Sequence, residues 1–549
     1  MLLPLFAVLL SLLLASPTLA ASAEDWSKRS IYQLVTDRFA TSNDSVAPCD
    51  TSLRTYCGGS WTGIIDHLDY IQQMGFDAVW ISPIAQNAED TAYGKGYHGY
   101  WSTNLDLLNP HFGADSDLKA LSKALHARAM YLMLDVVVNH YAGVPTNTTI
   151  SPANLFTLDY SSLLPFGTQD DFHPQCFIGN SNDQAVLEQC WLGDENLPLP
   201  DVNTEDPGVV ATLNAWIKKT VSEYGADGIR IDTVKHIRRN FWPDFAKSAG
   251  VFTLGEILTT DPVYAASYLG AAVDGVFDYP KYYQTVTAFG STSGNLSALQ
   301  TSPSLPALAP PSAPGRRVLT AAFLENHDQP RFPSYASTDT ALTKNAMTSV
   351  FVGDGMPVLY YGQEQGYQGG ADPGNREALW LSGYETNKPL VAHVKALNAA
   401  RKLAIAKNPA FLTTQASWIQ QSNPSALMLS KPPLLTLLTN IGANTSAVQP
   451  TWHIPAGMYK PNTTLVDLLA CQAVVVDGGE AGGGVTEVRA QGGMPQVLVP
   501  ASMLSRKGDG ACPALAGAGG SSGAVRAGRG RVVRGLAAVG TVVGVVGLL

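Results

Sequence analysis

Short apolar runs recur along the first 400 residues, each followed by a stretch in which apolar residues return every three or four positions. The runs fall at 31–35, 78–81, 131–138, 228–231, 251–254, 275–277, 318–324 and 357–361. A short apolar run bounded by turn residues reads as a buried strand, and the longer period reads as an amphipathic helix. Residues 117–129 and 209–224 are two such helical stretches. Eight strands alternating with helices predict an α/β architecture, a TIM (β/α)8 barrel; a doubly wound open sheet fits the same alternation.

Two regions break the pattern. After His140 about 60 residues pass before the next helix, rich in Pro, Asn, Asp and Gly, and a loop of that length is functional or a small domain of its own. Beyond residue 408 short alternating strands with Gly and Pro turns take over, which predicts an all-β sandwich. The expected organisation is a leader at 1–20, a barrel over 21–140 and 204–407, an insertion at 141–203, a sandwich over 408–512 and a tail at 513–549.

Composition narrows the class. Of 549 residues, 45% are hydrophobic and 15% charged, which suits a packed globular chain, and the net charge of -10 disfavours nucleic acid as a partner. The apolar stretch from Leu2 to Leu14 runs into Thr18-Leu-Ala20, a signal peptide cut after Ala20. Secretion puts the six cysteines in an oxidising compartment. They fall as neighbours, Cys49 with Cys57, Cys176 with Cys190 and Cys471 with Cys512, although proximity alone leaves other pairings open. Asn43, Asn147, Asn295, Asn444 and Asn462 begin glycosylation sequons.

Chemistry enters where polar residues interrupt buried runs. Asp135 lies inside the apolar run Tyr131-Leu-Met-Leu-Asp-Val, and a buried charge is costly unless paired. In Gly228-Ile-Arg-Ile-Asp232 the two-residue period puts Arg230 and Asp232 on one face, so Arg230 can pair with Asp135 and Asp232 lies near the mouth. Other runs end on Glu256, on His327-Asp328 and on Asn139-His140. Singly, each is as well explained by a helix cap or a loop ion pair. Together, carboxylates at the C-terminal ends of several barrel strands mark an active site. Two carboxyl groups held in different protonation states are what glycoside hydrolysis requires. Asp232 beside Arg230 suits the ionised role, and Glu256 after an apolar strand suits the acid.

These motifs resemble those of glycoside hydrolase family 13, and within it the fungal α-amylases, from Ala23 to Cys512. They read Asp135-Val-Val-Val-Asn-His140, Gly228-Ile-Arg-Ile-Asp-Thr-Val-Lys-His236, Gly255-Glu-Ile-Leu258 and Phe323-Leu-Glu-Asn-His-Asp328, with a fifth at Leu199-Pro-Asp-Val-Asn203. The resemblance implies endo-acting, retaining hydrolysis of α-1,4-glucosidic bonds in starch-like or glycogen-like α-glucans by a monomeric enzyme. It implies Asp232 as nucleophile, Glu256 as general acid/base and Asp328 as transition-state stabiliser. Arg230, His140 and His327 would hold the glucose unit at the cleavage point. The stretch from Ala92 to Trp101 would add Tyr100 as a stacking platform, His98 as a hydrogen-bonding partner and Trp101 beside them. Asp372 and Arg376 would serve the same subsite, and Lys235 and His236 the leaving-group side. Calcium would be bound by the side chains of Asn139 and Asp201 and the main-chain carbonyls of Glu188 and His236, tying the insertion, as a domain B, to the barrel. Oxygen ligands suit a hard cation.

The chain also departs from that family. A cysteine couple usual in the later barrel is absent, and residues 287–314 form a Ser/Pro/Ala-rich connection. Two other readings share the motifs, a cell-wall 4-α-glucanotransferase and a non-catalytic glucan-binding relative. His98 and His140, which anchored transferase-like relatives tend to lose, are both present, as are all three carboxylates. The tail offers small residues at Gly519-Gly-Ser-Ser-Gly523, an arginine-bearing spacer and an apolar end, the order of a glycosylphosphatidylinositol signal. A tail trimmed after secretion has the same composition.

Overall fold

The computed structural model describes residues 21–143, 145–147, 157–179, 182–310, 317–444, 446, 448–477, 485–504 and 512. The expected leader and the expected lipid-anchor signal lie outside the described residues.

Eight parallel strands close into a barrel: β1 (Ile31–Gln33), β2 (Ala78–Ile81), β3 (Tyr131–Val136), β4 (Gly228–Ile231), β5 (Phe252–Gly255), β6 (Gly275–Phe277), β7 (Leu319–Phe323) and β8 (Met356–Tyr360). Closure is explicit at β1, where Ile31 is in register with Ala78 of β2 on one side and Val358 of β8 on the other. An open sheet would leave two unpaired edges, so that alternative is excluded. The run expected to extend to residue 138 leaves the ladder at Val136. Beyond it the chain bonds to the insertion instead, with the Asn139 carbonyl accepting from Val202 N at 2.8 Å.

The strands are buried on both faces, which is why they read as runs. Trp80, Met133, Leu254, Phe277, Phe323 and Val358 pack inside the ring, while a second apolar layer joins its outer face to the helices. Trp26 packs at one end of this interior, its ring 5.5 Å from Phe252 and its indole donating to the Asp227 carbonyl at 2.9 Å. Gly228 permits that approach, since a Cβ there would lie 2.8 Å from the Trp26 ring.

Helix α1 (Asp115–Ala127) and helix α2 (Pro207–Tyr224) occupy the two stretches marked by periodicity. The second shows why it starts and stops where it does. The Asp206 carboxylate caps the amides of Gly208 and Val209, Pro207 opens the first turn, and Gly225 ends the helix in the left-handed region at φ 60°.

The described residues of the long insertion include two short antiparallel pairs, Pro145–Asn147 with Thr157–Leu158 and Leu192–Gly193 with Pro198–Leu199, and a helix at Gln184–Gln189. The C-terminal part holds β9 (Ser417–Gln420), β10 (Ala426–Lys431), β11 (Leu434–Thr439), β12 (Thr451–Ile454), β13 (Thr464–Asp467), β14 (Gln472–Val475), β15 (Thr486–Arg489) and β16 (Gln496–Pro500). Six of them form an antiparallel sheet in the order β9-β10-β11-β16-β13-β14, and β12 pairs with β15 in a second. Trp452 and Val488 of the small sheet pack on Met428, Leu437 and Leu498 of the large one, making an all-β domain. The neighbouring cysteines are the bonded ones: Cys49–Cys57, Cys176–Cys190 and Cys471–Cys512. Among the described residues no helix is long and apolar enough to cross a membrane.

Candidate active site

Arg230 organises the barrel mouth. It is in register with Asp135 of β3, and its Nη1 lies 2.9 Å from Asp135 Oδ1 and 2.7 Å from Asp232 Oδ1. Its Nη2 lies 2.9 Å from Glu256 Oε2. One guanidinium therefore contacts three carboxylates, which offsets much of the cost of burying them. Asp135 is the most enclosed and fully engaged, accepting also from Trp80 Nε1 at 3.0 Å and the Tyr100 hydroxyl at 2.6 Å. Asp232 and Glu256 keep side-chain exposures of 9% and 10%, against 0% for Asp135, so those two are presented to the cleft.

Glu256 sits immediately after β5. Its Oε2 also accepts from Thr233 N at 3.2 Å, and its Oε1 accepts from the Tyr279 hydroxyl at the same distance. Thr233 holds the left-handed conformation, φ 49°, which is costly for a β-branched residue and turns its amide onto the carboxyl. Burial raises the Glu256 pKa above the usual carboxylate range, and the neighbouring Asp232 adds to the shift against the pull of Arg230. A raised pKa is what a proton donor needs.

Asp328 follows β7. His327 Nε2 lies 3.0 Å from its Oδ2, and Arg376 Nη2 lies 3.7 Å from its Oδ1. Desolvation at the mouth, then the neighbouring Glu256 carboxyl, push its pKa up to about 7. Gln33 at the end of β1 lies 2.9 Å from His327 Nδ1 and fixes that ring. Tyr100 stacks on the same ring, centroids 4.8 Å apart and planes within 2°. His98 bonds the Tyr100 amide at 3.0 Å, and Trp101 meets His98 edge-on at 4.4 Å. His140 Nε2 lies 3.2 Å from the Tyr100 carbonyl. Burial lowers the pKa of all three histidines, His140 to about 4, with Arg376 adding to the effect at His98 and Arg230 at His327. Neutral imidazoles suit hydrogen bonding to sugar hydroxyls.

Arg376 closes this side, its Nη1 3.0 Å from Asp372 Oδ1, while Arg54 reaches the other Asp372 oxygen at 3.2 Å. Lys235 and His236 stand on the turn after β4. Lys235 Nζ donates to the Leu258 carbonyl at 3.0 Å, and His236 is buried, its pKa lowered to about 3. The residues singled out from sequence thus gather at one end of the barrel.

A second cluster lies where the insertion meets β3. Asp201 forms a bridge with His140, and Asn139 Oδ1 and Asp201 Oδ1 are both buried without a hydrogen-bond partner. The other Asp201 oxygen lies 2.6 Å from His173 Nδ1, and His173 Nε2 lies 2.6 Å from Glu205 Oε2. Burial opposes a charge on His173, but the two carboxylates outweigh it and raise its pKa. The helix Gln184–Gln189, which carries Glu188, is tied to the turn of His236 by Gln184 Nε2 donating to the Lys235 carbonyl at 3.0 Å. No group of three or more His, Cys, Asp or Glu side chains suited to a metal occurs among the described residues, so a cation here would take the one Asp201 carboxylate together with amide and main-chain oxygens.

Sequence reasoning missed Trp80, Tyr279, Asn326, Gln33 and His173. Trp80 and Gln33 lie within strands where nothing but an inward register distinguishes them. Tyr279 and Asn326 had a signal, since each is a polar residue just beyond the end of a strand.

Residues 33–388 match the model of the α-amylase catalytic domain, and residues 419–515 that of α-amylase domain C. The chain is 42% identical over 486 residues to an α-amylase of Saccharomycopsis fibuligera, covering 88% of this chain and 94% of that one. It is 43% identical over 494 residues to α-amylase 1 of Schwanniomyces occidentalis, covering 89% and 92%. The solved structure of an α-amylase from Malbranchea cinnamomea superposes with a TM-score of 0.80 at 43% identity, covering 90% of this chain and all of that one. With a matching catalytic domain laid over the barrel whose mouth holds these carboxylates, the chain belongs to the α-amylase family.

Proposed function

We propose that this α-amylase cleaves internal α-1,4-glucosidic bonds of starch-like or glycogen-like glucans with retention, by double displacement. The observation that carries the reading is one guanidinium, Arg230, contacting two carboxyls that differ in their remaining partners. Asp232 has the Arg230 cation 2.7 Å away as countercharge for an ionised nucleophile. Burial, with Asp232 and against the pull of Arg230, raises the pKa of Glu256, as a proton donor needs. In the first step Asp232 bonds to the anomeric carbon as Glu256 gives its proton to the departing glycosidic oxygen. In the second, Glu256 takes a proton from water as that water displaces Asp232. Asp328 and His327 hydrogen-bond the sugar at the cleavage point, where Tyr100 supplies an apolar face and Arg230, His98, His140, Asp372 and Arg376 fix orientation. Trp101, Lys235 and His236 flank this subsite.

Calcium would be held by Asn139 and Asp201, with the carbonyls of Glu188 and His236. Two buried oxygens without a donor support this, because a hard cation satisfies such atoms. The ion supplies positive charge that ties the insertion to the barrel. Three disulfides agree with an extracellular location, with a glycosylphosphatidylinositol lipid on the tail holding the enzyme at the cell surface.

Glu256→Gln tests the assignment. An amide cannot donate the proton, so kcat falls by roughly a thousand-fold while maltooligosaccharide binding persists. A variant that keeps a tenth of wild-type kcat refutes the role of Glu256.

A further inference from the structure

The two oxygens of Glu256 face different kinds of partner. Oε2 meets Arg230 Nη2 and the amide of Thr233, and neither group can accept a proton. A proton on Oε2 would point at two obligate donors. Apart from its contact with the Asp232 carboxylate, the carboxyl is free of obligate donors only at Oε1, whose hydrogen-bond partner is the hydroxyl of Tyr279 at 3.2 Å. A hydroxyl differs from Arg230 and the Thr233 amide in being able to donate or accept by rotating its O–H bond.

Tyr279 is itself fixed. It opens helix α3 (Tyr279–Phe289), directly after the capping residue Asp278, and it is 1% exposed. Its ring packs edge-on against Phe323 at 4.9 Å, and its oxygen accepts from Asn326 Nδ2 at 2.8 Å. The Asn326 carbonyl oxygen in turn accepts from the amides of Asp328 and Gln329, at 3.0 and 2.8 Å. That second pair of bonds sets the amide orientation, so Nδ2 is the end that meets Tyr279. Asn326 occupies one lone pair of the phenol and leaves its O–H and its other lone pair for Glu256.

We propose that Tyr279, held by Asn326, is a positioning residue for the general acid/base, serving Glu256 Oε1 in both of its protonation states. This rests on the reading of Glu256 given above. While Glu256 is protonated, the phenol leaves the Oε1 proton free to turn to the glycosidic oxygen. As the C–O bond breaks and that proton departs, negative charge grows on Oε1 and the Tyr279 O–H donates to it. When water attacks the glycosyl–Asp232 intermediate, Oε1 recovers a proton from it and the phenol again ceases to be needed as a donor. Tyr279 neither gains nor loses a proton over the cycle.

The charged and titratable groups facing Glu256 are Arg230 and Asp232 from β4, Lys235 from the turn after it, Asp328 from beyond β7 and Tyr279 itself. Among them Tyr279 is the uncharged hydroxyl that can be removed without altering net charge. Taking away a donor to the ionised form raises the pKa of the acid. Tyr279→Phe should therefore move the alkaline limb of kcat/KM on maltoheptaose to higher pH. It should also lower kcat by roughly ten-fold to a hundred-fold, the effect of losing one hydrogen bond to a charged group, with KM within about two-fold. On an α-maltosyl fluoride, whose departure needs little proton donation, the glycosylation rate should fall far less.

Asn326→Asp provides a second variant should Tyr279→Phe fold poorly. It keeps the oxygen that accepts from the Asp328 and Gln329 amides but turns an acceptor towards the phenol, drawing the O–H away from Glu256, so the limb again moves up. An unmoved alkaline limb in a folded variant overturns the proposal, as does an equal loss on the fluoride and on maltoheptaose. Glu256→Gln measured alongside separates the two ideas. If it retains activity, the acid assignment itself fails; if it is inactive and Tyr279→Phe behaves as wild type, the role of Tyr279 alone fails.

Discussion

Two buried arginines stand within the same barrel end, each contacting carboxylates, and they have opposite characters. Arg331 lies 3.2 Å from Glu325 and 3.0 Å from Glu377, with both Arg331 and Glu325 at 0% side-chain exposure. Every carboxylate oxygen there has a partner within the chain: Glu325 also accepts the Phe332 amide and Glu377 the Gly369 amide, while Arg331 donates to the Tyr361 carbonyl as well. Arg230 instead contacts, besides the enclosed Asp135, two carboxylates that border the cleft, and nearby Asp328 keeps 33% side-chain exposure. A buried ion pair thus says little about chemistry until one asks whether its carboxylates border the cleft. Glu325 and Asp328 belong to one short motif, yet one is sealed in the interior and the other opens on the cleft.

The contrast can be broken most sharply at Asp232. Asp232→Asn should lower kcat by roughly ten-thousand-fold while leaving the melting temperature close to that of the parent. A large drop in melting temperature would mean that the Arg230 cluster is structural after all. Arg331→Met should do the reverse. It strands Glu325 as a buried unpaired charge, at a cost of about 3–5 kcal/mol in urea unfolding, while kcat per folded molecule stays near wild type. Adding Glu325→Gln to that variant should recover part of the loss, and failure to recover would show that packing rather than charge dominates there.

Asp201 is an intermediate case, with one oxygen consumed by His173 and the other open. If calcium occupies that gap, removing it should destabilise the native state by mass action, about 2.7 kcal/mol for an ion previously present at a hundred times its dissociation constant. An unchanged melting curve after confirmed metal removal would leave Asn139 and Asp201 as hydrogen-bonding residues only.

Much of the barrel was legible because a closed parallel sheet buries both faces of each strand, which leaves uninterrupted apolar runs in the sequence. Asp135, Arg230 and Glu256 stood out as charges inside or at the end of such runs. Trp80 did not, because an inward tryptophan that donates to Asp135 looks like any other core residue. His173 did not, because nothing local reveals that its two nitrogens meet Asp201 and Glu205. Among its described residues, the Ser/Pro/Ala-rich connection holds two short helices, Ser297–Gln300 and Leu305–Leu308, too brief to show a period.

Barrel closure has a consequence for biosynthesis. The partner of β1 on one side is β8, whose residues are synthesised more than three hundred positions later. At about 5–20 residues per second, one flank of β1 waits tens of seconds for its neighbour. During that interval its free amides and carbonyls form an edge able to recruit other chains. The ring can be sealed only once Tyr360 has been made, so vectorial folding of this protein proceeds with its first strand half-paired until the catalytic domain is nearly complete.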